Sequence, residues 1–445
     1  MTYYERNQQF YRSFEKGNFA EAVEILEKDK KSPRKNSKLL YYLNLGTAAF
    51  MTGNYEKANL SFERAYEIGD NYSRNYFQEA ASIILNPNVA PYRGEDFELL
   101  MIHYYKALSY LKTNDFEKAL VECKRMNIKL LALGDKYKSE KYYRADAFVN
   151  VLMGIIYDAS RDYNNAFIAY RNALNVFEEG YTEQFGVEVP EQLKVDLIRT
   201  AHLAGFPQER AQYEKQFEKI YEPIDREKGY LVFFWHNGLG PKKTEVSLDF
   251  VFTQRNGHIQ FDNKNFRRHF DFNLSTDDYR SSGLSNLDVV RVVLPKYVER
   301  PAYFKEAFLE WEGQQKSLEL GQNVNNLAFQ SLKQRIGKEL AESLLRTALK
   351  KAAEYQIRQE NEGLGAAVGL FAQFTEQADT RAWQTIPHSI YYTRMALPEG
   401  EQHVDLVVKN AGSKDQHNFQ FDIQARTTTF HFFHNMQVTY GRDTY

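Results

Sequence analysis

Small and bulky apolar residues recur at fixed offsets in the first half of the chain. A small residue is followed nine positions later by an aromatic one, then by alanine after three, a bulky residue after four and a small one after three more. The copies are Gly46, Tyr55, Ala58, Phe62, Ala65; then Gly154, Tyr163, Ala166, Tyr170, Ala173; a looser Ala107, Phe116, Ala119, Cys123, Met126; and a partial Phe19, Ala22, Leu26. Because residues three or four apart share one helix face, the pattern predicts closely packed helical hairpins.

In each copy the aromatic residue follows a turn-forming pair. The pairs are Gly17-Asn18, Gly53-Asn54, Asn114-Asp115 and Arg161-Asp162. The arrangement resembles the tetratricopeptide repeat, whose hairpins carry small residues at matching offsets. The spacing from Gly46 to Ala107 is 61 residues and from Ala107 to Gly154 is 47, whereas the period of that repeat is about 34. We therefore expect an interrupted array with extra structure between its hairpins.

The largest interruption covers residues 86–98, where two prolines and a glycine break helices before the helix at Met101–Tyr105. A further helix is expected over Pro207–Ile220, and Pro223 is expected to end the helical half.

Strand-like patterns begin after residue 228. The run Tyr230–Trp235 is continuously apolar, and Val246–Phe252 alternates between apolar and polar positions. The other predicted strands are Val289–Pro295, His403–Val408, Asn418–Ile423 and Thr427–Phe433. We thus predict an α+β chain: a tetratricopeptide-like helical array at residues 1–225, then a β-rich, sandwich-like domain at 226–445 with a helical insertion at about 325–374.

The composition of the chain excludes some classes of function. The chain has 445 residues, a net charge of −2 and 26% charged residues, so nothing draws it to nucleic acid. Its one cysteine, Cys123, excludes an intrachain disulfide and is expected to be a buried helical residue. No apolar run reaches the roughly 20 residues needed to span a bilayer.

No catalytic, metal or cofactor motif stands out. Gly363, Gly365 and Gly369 follow a helix, not a strand, and lack the Lys-Ser/Thr ending of a phosphate loop. His431 and His434 are expected on opposite faces of a strand, which disfavours a shared metal. The sequence therefore predicts a protein that is not an enzyme and needs neither cofactor nor metal.

Two polar motifs are predicted to have structural roles. The first joins Tyr92, Gly94, Glu95 and Glu98, whose carboxylates suit a helix N-terminus, to Arg125 and Asn127 on the next hairpin in one polar network. In the second, Asp379 and Arg381 orient each other while Trp383 anchors the segment in a core.

These segments resemble an uncharacterised family of bacterial tetratricopeptide-like envelope lipoproteins. The resemblance rests on five short segments: Tyr92–Glu98 with Glu122, Arg125 and Asn127; Ala107–Leu111; Asn237-Gly238 with Pro241-Lys242; Asp379–Trp383; and Leu397–Gly400. It implies an exported protein of the periplasm or outer membrane, held by an N-terminal lipid. The lipidated cysteine is absent, since Cys123 is internal, so the resemblance implies that Met1 replaces it. A cytoplasmic location remains the alternative.

The predicted function is a scaffold that binds another envelope protein or peptide in the groove of the repeats. By analogy with repeat geometry, the groove-facing residues are Tyr104, Leu108, Lys112, Val151 and Asp158. The alternative is an envelope carbohydrate-binding protein or hydrolase that uses a cleft between the two halves, with Glu95 or Asp379 as the acid. A cytoplasmic co-chaperone is a third hypothesis, but no basic clamp for a carboxylate tail is evident.

Overall fold

The computed structural model describes most of both halves of the chain. The described residues are 3–32, 36–74, 90–137, 146–223, 225–255, 258–262, 269–273, 289–337, 339–340, 343–344 and 378–439. Gly363, Gly365 and Gly369, residues 86–89 and most of the predicted helical insertion lie outside them. Within that insertion, residues 324–337 are helical (α13), as are 339–340 and 343–344.

The described part of the first half is helical. Its helices are α1 (Tyr3–Arg6), α2 (Gln8–Glu15), α3 (Phe19–Lys28), α4 (Lys38–Met51), α5 (Tyr55–Arg74), α6 (Asp96–Lys112), α7 (Phe116–Tyr137), α8 (Ala147–Ala159), α9 (Tyr163–Val176), α10 (Thr182–Phe185), α11 (Glu191–Leu203) and α12 (Pro207–Phe217). A π-helical turn, Phe177–Tyr181, joins α9 to α10.

Consecutive helices pack as the hairpins α4–α5, α6–α7 and α8–α9. The predicted close approaches are confirmed: a Cβ on Gly46 would collide with the Phe62 ring, and one on Gly154 with the Tyr170 ring. The turn pairs are confirmed as well, because Gly53 has a φ of +78°, a left-handed conformation that glycine adopts without strain. Cys123 is fully buried, as predicted.

The second half contains twelve described strands. They are β1 (Lys228–Asn237), β2 (Lys242–Arg255), β3 (His258–Asp262), β4 (His269–Asn273), β5 (Val289–Val298), β6 (Glu306–Trp311), β7 (Gln314–Ser317), β8 (Glu319–Asn323), β9 (Ser389–Pro398), β10 (Gly400–Asn410), β11 (Ser413–Ile423) and β12 (Thr428–Asn435). All six strands expected from the sequence are present.

The strands form three four-stranded sheets among the described residues. The inner sheet has the order β12-β1-β9-β8, the outer sheet β11-β10-β6-β7 and the side sheet β4-β3-β2-β5. In the inner sheet β1 runs parallel to β12 and antiparallel to β9. The β9–β10 connection carries the chain from the inner sheet to the outer sheet.

Three layers follow from the alternation of side chains along β1. Leu231, Phe233 and Trp235 point into a core shared with Leu406 and Val408 of the outer sheet, which makes these two sheets a sandwich. The alternate residues Val232 and Phe234 belong to the core of the helical half. The inner sheet is therefore buried on both faces, between the helices and the outer sheet.

Candidate functional site

The inner sheet occupies the face of the array on which a partner was expected. The Tyr104 hydroxyl on α6 is hydrogen-bonded to Nε2 of His236 on β1 at 2.8 Å. Lys112 donates from Nζ to the carbonyl oxygen of Phe430 on β12 at 3.0 Å. The prediction that the first helices of the hairpins face an open groove is therefore wrong for this structure.

The five predicted groove residues are held by other parts of the chain. Tyr104 is 3% exposed, Leu108 0%, Val151 1% and Asp158 5%. Burial lowers the pKa of the Lys112 ammonium. The contact between the helices and the inner sheet removes apolar surface of both from water. This gain in free energy explains why the chain itself fills the groove. A partner could reach these side chains only if the two halves separated.

Two buried histidines lie under this contact. His236 and His434 have ring centroids 5.5 Å apart, and Nε2 of His434 is 2.7 Å from the carbonyl oxygen of Gly238. Burial lowers the pKa of His434 to about 4 and that of His236 well below its usual value. Both imidazoles are therefore neutral at physiological pH. His431, on the other face of β12, also has a pKa lowered by burial, to about 4.

The acidic motif forms the N-terminus of α6. Glu98 accepts a hydrogen bond from the Glu95 backbone N–H at 2.9 Å and one from the Tyr92 hydroxyl at 2.5 Å. Glu95 accepts from Lys243 Nζ at 2.5 Å and is ion-paired with Arg335 on α13. The helix start is thus tied to the side sheet and to the insertion.

The two carboxylates have opposite electrostatic environments. Burial would raise the pKa of Glu95, but the cations Arg335 and Lys243 outweigh it and lower that pKa to about 2. Burial, together with the negative charge of Glu95, raises the pKa of Glu98 to about 7. Glu98 is thus the member of the pair that takes up a proton near neutral pH.

The second motif meets the first directly. The Trp383 backbone N–H donates to Oε1 of Glu98 at 2.6 Å. Arg381 pairs with Asp379 at 2.7 Å, donates to the carbonyl oxygen of Ala90 at 3.0 Å and lies over the Tyr92 ring. The predicted Asp379–Arg381 pair and the Trp383 anchor are present. The two motifs, which were predicted as separate networks, form a single cluster.

Arg125 and Asn127 do not belong to this cluster. Arg125 pairs with Glu122 at 3.1 Å, and Asn127 donates to Sδ of Met153 at 3.3 Å. Glu122 also holds His103 and Lys106, which lie about one and a half to two turns along α6 from Glu98. The predicted network is wrong because a helix rises about 1.5 Å per residue, which separates the two groups along α6.

Asp158 belongs to a separate buried charge cluster. It is ion-paired with Arg199 on α11 and, at 2.7 Å, with Arg394 on β9. Asp196 lies 3.0 Å from both guanidinium groups. Burial would raise the pKa of Asp158, but the two arginines outweigh it and lower that pKa. The cluster joins the helical half to the inner sheet with balanced charge. The sequence offered no motif for Asp196, Arg199 or Arg394.

Both carboxylates that the hydrolase alternative names as the acid are engaged in ion pairs. Glu95 is held by Lys243 and Arg335, and Asp379 by Arg381. Across the described parts of the chain, no three His, Cys, Asp or Glu side chains come together as metal ligands. In the same part of the chain, no helix is both long and apolar enough to cross a bilayer.

An apolar stripe remains exposed on the outer surface of α7. Val121, Ile128 and Leu131 are 46%, 67% and 55% exposed, and each lies seven or three residues from the next. Lys124, also exposed, lies on the same helix face. The opposite face of α7 is buried through Ala119, Cys123, Met126, Leu130 and Leu133. We call Val121, Ile128 and Leu131 the α7 stripe; no motif in the sequence marks it.

The architecture defines a class: a helical-hairpin array closed over one face of a β-sandwich. No protein-family model matches the chain, and no curated protein matches its sequence. Several solved structures match about half of the chain at low sequence identity. A putative kinesin light chain with TPR-like repeats from Podosopora anserina is 16% identical with a TM-score of 0.32, covering 48% of this chain and 92% of its own. BtubC from P. vanneervenii is 15% identical (TM-score 0.30; 50% and 80% covered). The MamA protein is 13% identical (TM-score 0.29; 48% and 94% covered).

Proposed function

We propose that the protein is a non-catalytic scaffold that binds a helical segment of a partner protein through the α7 stripe. The observation that carries the proposal is the exposure of three large aliphatic side chains on one helix face, while the groove is filled by the inner sheet. Their spacing matches the contact surface that one helix offers another. A partner helix with an apolar stripe of its own would cover them.

We also propose that the scaffold works in the bacterial cell envelope, attached to a membrane by an N-terminal lipid. This part rests on the resemblance of the short segments in residues 92–127, 237–242 and 379–400 to envelope lipoproteins. Fractionation of cells expressing the native gene tests it: the protein should sediment with membranes and carry a lipid on its N-terminal residue. Recovery as a soluble, unlipidated protein would contradict the localisation and leave the scaffold proposal standing.

The test of the stripe is site-specific photo-crosslinking in the native host. A photoreactive residue at position 128 should capture one protein in stoichiometric amount. Addition of Leu131→Asp should abolish that crosslink without lowering the melting temperature, because the Leu131 side chain is already 55% exposed. Leu60, 64% exposed on α5, is the matched control, and Leu60→Asp should leave the crosslink intact. A crosslink that survives Leu131→Asp would refute the proposed interface.

A further inference from the structure

A cavity of about 410 Å³ lies where the last helices of the array meet the sandwich. Its walls come from α11, the segment after α12, β1, β7 and β9. Its lining side chains include Arg199, Lys219, Ile220, Tyr230, Lys316 and Arg394. The volume is within the range of small-molecule pockets, about 300–1,000 Å³. The cavity shares no residue with the α7 stripe and goes beyond the scaffold function.

The cavity wall contains buried donors without acceptors. The guanidinium groups of Arg199 and Arg394 each lie 5.0 Å from the centre of the Tyr230 ring. Nε of Arg199 and Nη1 of Arg394 have no hydrogen-bond acceptor among the described residues, although the two side chains are 6% and 3% exposed. Buried polar groups are nearly always hydrogen-bonded, so the two arginines of this wall are incompletely satisfied by the chain itself.

One cation of the cavity wall is not used in an ion pair of the described chain. Asp158 and Asp196 balance the two arginines, and Lys219 pairs with Glu191 at 3.0 Å. Lys316 has no ion-pair partner within the described chain. Apart from Asp196, the one acidic residue of the wall is Glu222, which is exposed to solvent. The cavity wall therefore holds a cation, Lys316, that can pair with a carboxylate.

Two apolar side chains of the cavity wall are exposed to solvent. Ile220 is 84% exposed and Val195 is 39% exposed, and both line the cavity. We propose that this cavity binds a carboxylate attached to an apolar group. The carboxylate accepts hydrogen bonds beside Lys316 and Arg394, and the apolar group covers Ile220 and Val195. A free organic acid and the C-terminal residue of a peptide share this chemistry.

Calorimetric titration of the whole protein with three probes tests the proposal. The probes are N-acetyl-Leu-Phe with a free carboxylate, the same dipeptide as its amide, and 3-phenylpropionate. The free-acid dipeptide should bind at least about tenfold more tightly than the amide, because one charged hydrogen bond is worth about that factor. Binding of 3-phenylpropionate as well would indicate a pocket for free acids. Binding of the dipeptide acid without it would indicate recognition of a peptide end.

Lys316→Glu reverses the charge that is free to meet the carboxylate without touching the arginine–aspartate cluster. It should weaken binding of the dipeptide acid by about tenfold or more. Lys414→Glu on β11 is the matched control: Lys414 is exposed, does not line the cavity, and its substitution should leave binding unchanged. Equal affinities for acid and amide, no binding of either acid, or full binding by Lys316→Glu would each overturn the proposal.

Discussion

The backbone N–H of Trp383 donates to the Glu98 carboxylate across a sequence separation of 285 residues. Glu98 lies in the first turn of α6, and Trp383 lies in the segment that precedes β9. The Trp383 indole continues into the helical core, where its Nε1 donates to the hydroxyl of Thr47 on α4 at 3.0 Å. A single carboxylate thus holds a helix of the array and the entry to the inner sheet in register.

Glu98→Gln should remove part of the pH dependence of stability. Burial and Glu95 raise the pKa of Glu98 from 4.5 to about 7 in the folded state. Its contribution to stability is therefore complete below about pH 4.5 and is lost as the pH rises through 7. The wild type should lose on the order of 1–3 kcal/mol over this window relative to the variant. Urea unfolding at a series of pH values measures this difference.

The glutamine variant is expected to be less stable than the wild type at every pH, because its amide nitrogen cannot accept from the Glu95 N–H. The diagnostic quantity is the slope with pH. Glu401→Gln, at a side chain that is 64% exposed, should keep the wild-type slope. Identical slopes for Glu98→Gln and the wild type would show that Glu98 does not titrate in this range.

Asp158→Asn should destabilise the protein by about 3–5 kcal/mol, the usual effect of removing one partner from a buried ion-pair cluster. Arg199 and Arg394 would then share Asp196 alone, so a buried positive charge would lack its counterion. Equilibrium unfolding in guanidinium or urea measures the loss. Asp249→Asn breaks an exposed pair with Arg291 and should change stability little. Equal losses in the two variants would show that burial does not govern the strength of the cluster.

Tyr104→Ala should destabilise the protein by about 3–5 kcal/mol, as for other buried aromatic residues. Tyr104→Phe, which removes only the hydroxyl bonded to His236, should cost about 1 kcal/mol. Thermal unfolding of the two variants separates the ring from the hydrogen bond. If Tyr104→Ala melted like the wild type and lost a partner, the open-groove interpretation would be restored.

Gly154→Ala should destabilise the α8–α9 hairpin, because the new methyl group meets the ring of Tyr170. Overpacking of this kind costs about 1–3 kcal/mol, which exceeds the gain of about 1 kcal/mol in helix propensity. Asn172→Ala, at an exposed position of α9, should be neutral or slightly stabilising. Circular-dichroism melting curves of the two variants provide the comparison. A stabilised Gly154→Ala would mean that the helices can move apart.

The hairpins could be predicted from the sequence because their determinants are local. Small residues and the aromatic residues that fill the space beside them are separated by fixed offsets on adjacent helices, as Gly154 and Tyr170 show. The continuous apolar run of β1 likewise allowed this strand to be predicted. β9 was missed, since its burial on both faces removes the alternation that marks a strand, and it includes buried Thr393 and Arg394. β7 and β8 are too polar to stand out as strands.

The candidate site was less predictable, because it depends on contacts between residues that are distant in the sequence. Arg394 tolerates burial only because Asp158 and Asp196, distant in the sequence, lie beside it in the fold. The filled groove also depends on a tertiary contact: Tyr104 looks like a binding residue on its own helix and becomes a core residue through His236. The polar motifs at 92–98 and 379–383 were recognisable as structural, but their contact was not.

The parallel pairing of β1 with β12 has a consequence for biosynthesis. The helices leave the ribosome first, but the sheet that covers them is complete only when β12, the last described strand, has been made. Until then, the apolar surface of the array that the inner sheet covers is open to water and to other nascent chains. Long-range strand pairing is also slow. The chain is thus most prone to aggregation while the helical half has been made and the inner sheet has not. A chaperone that shields the helices during translation would take the place of the missing sheet.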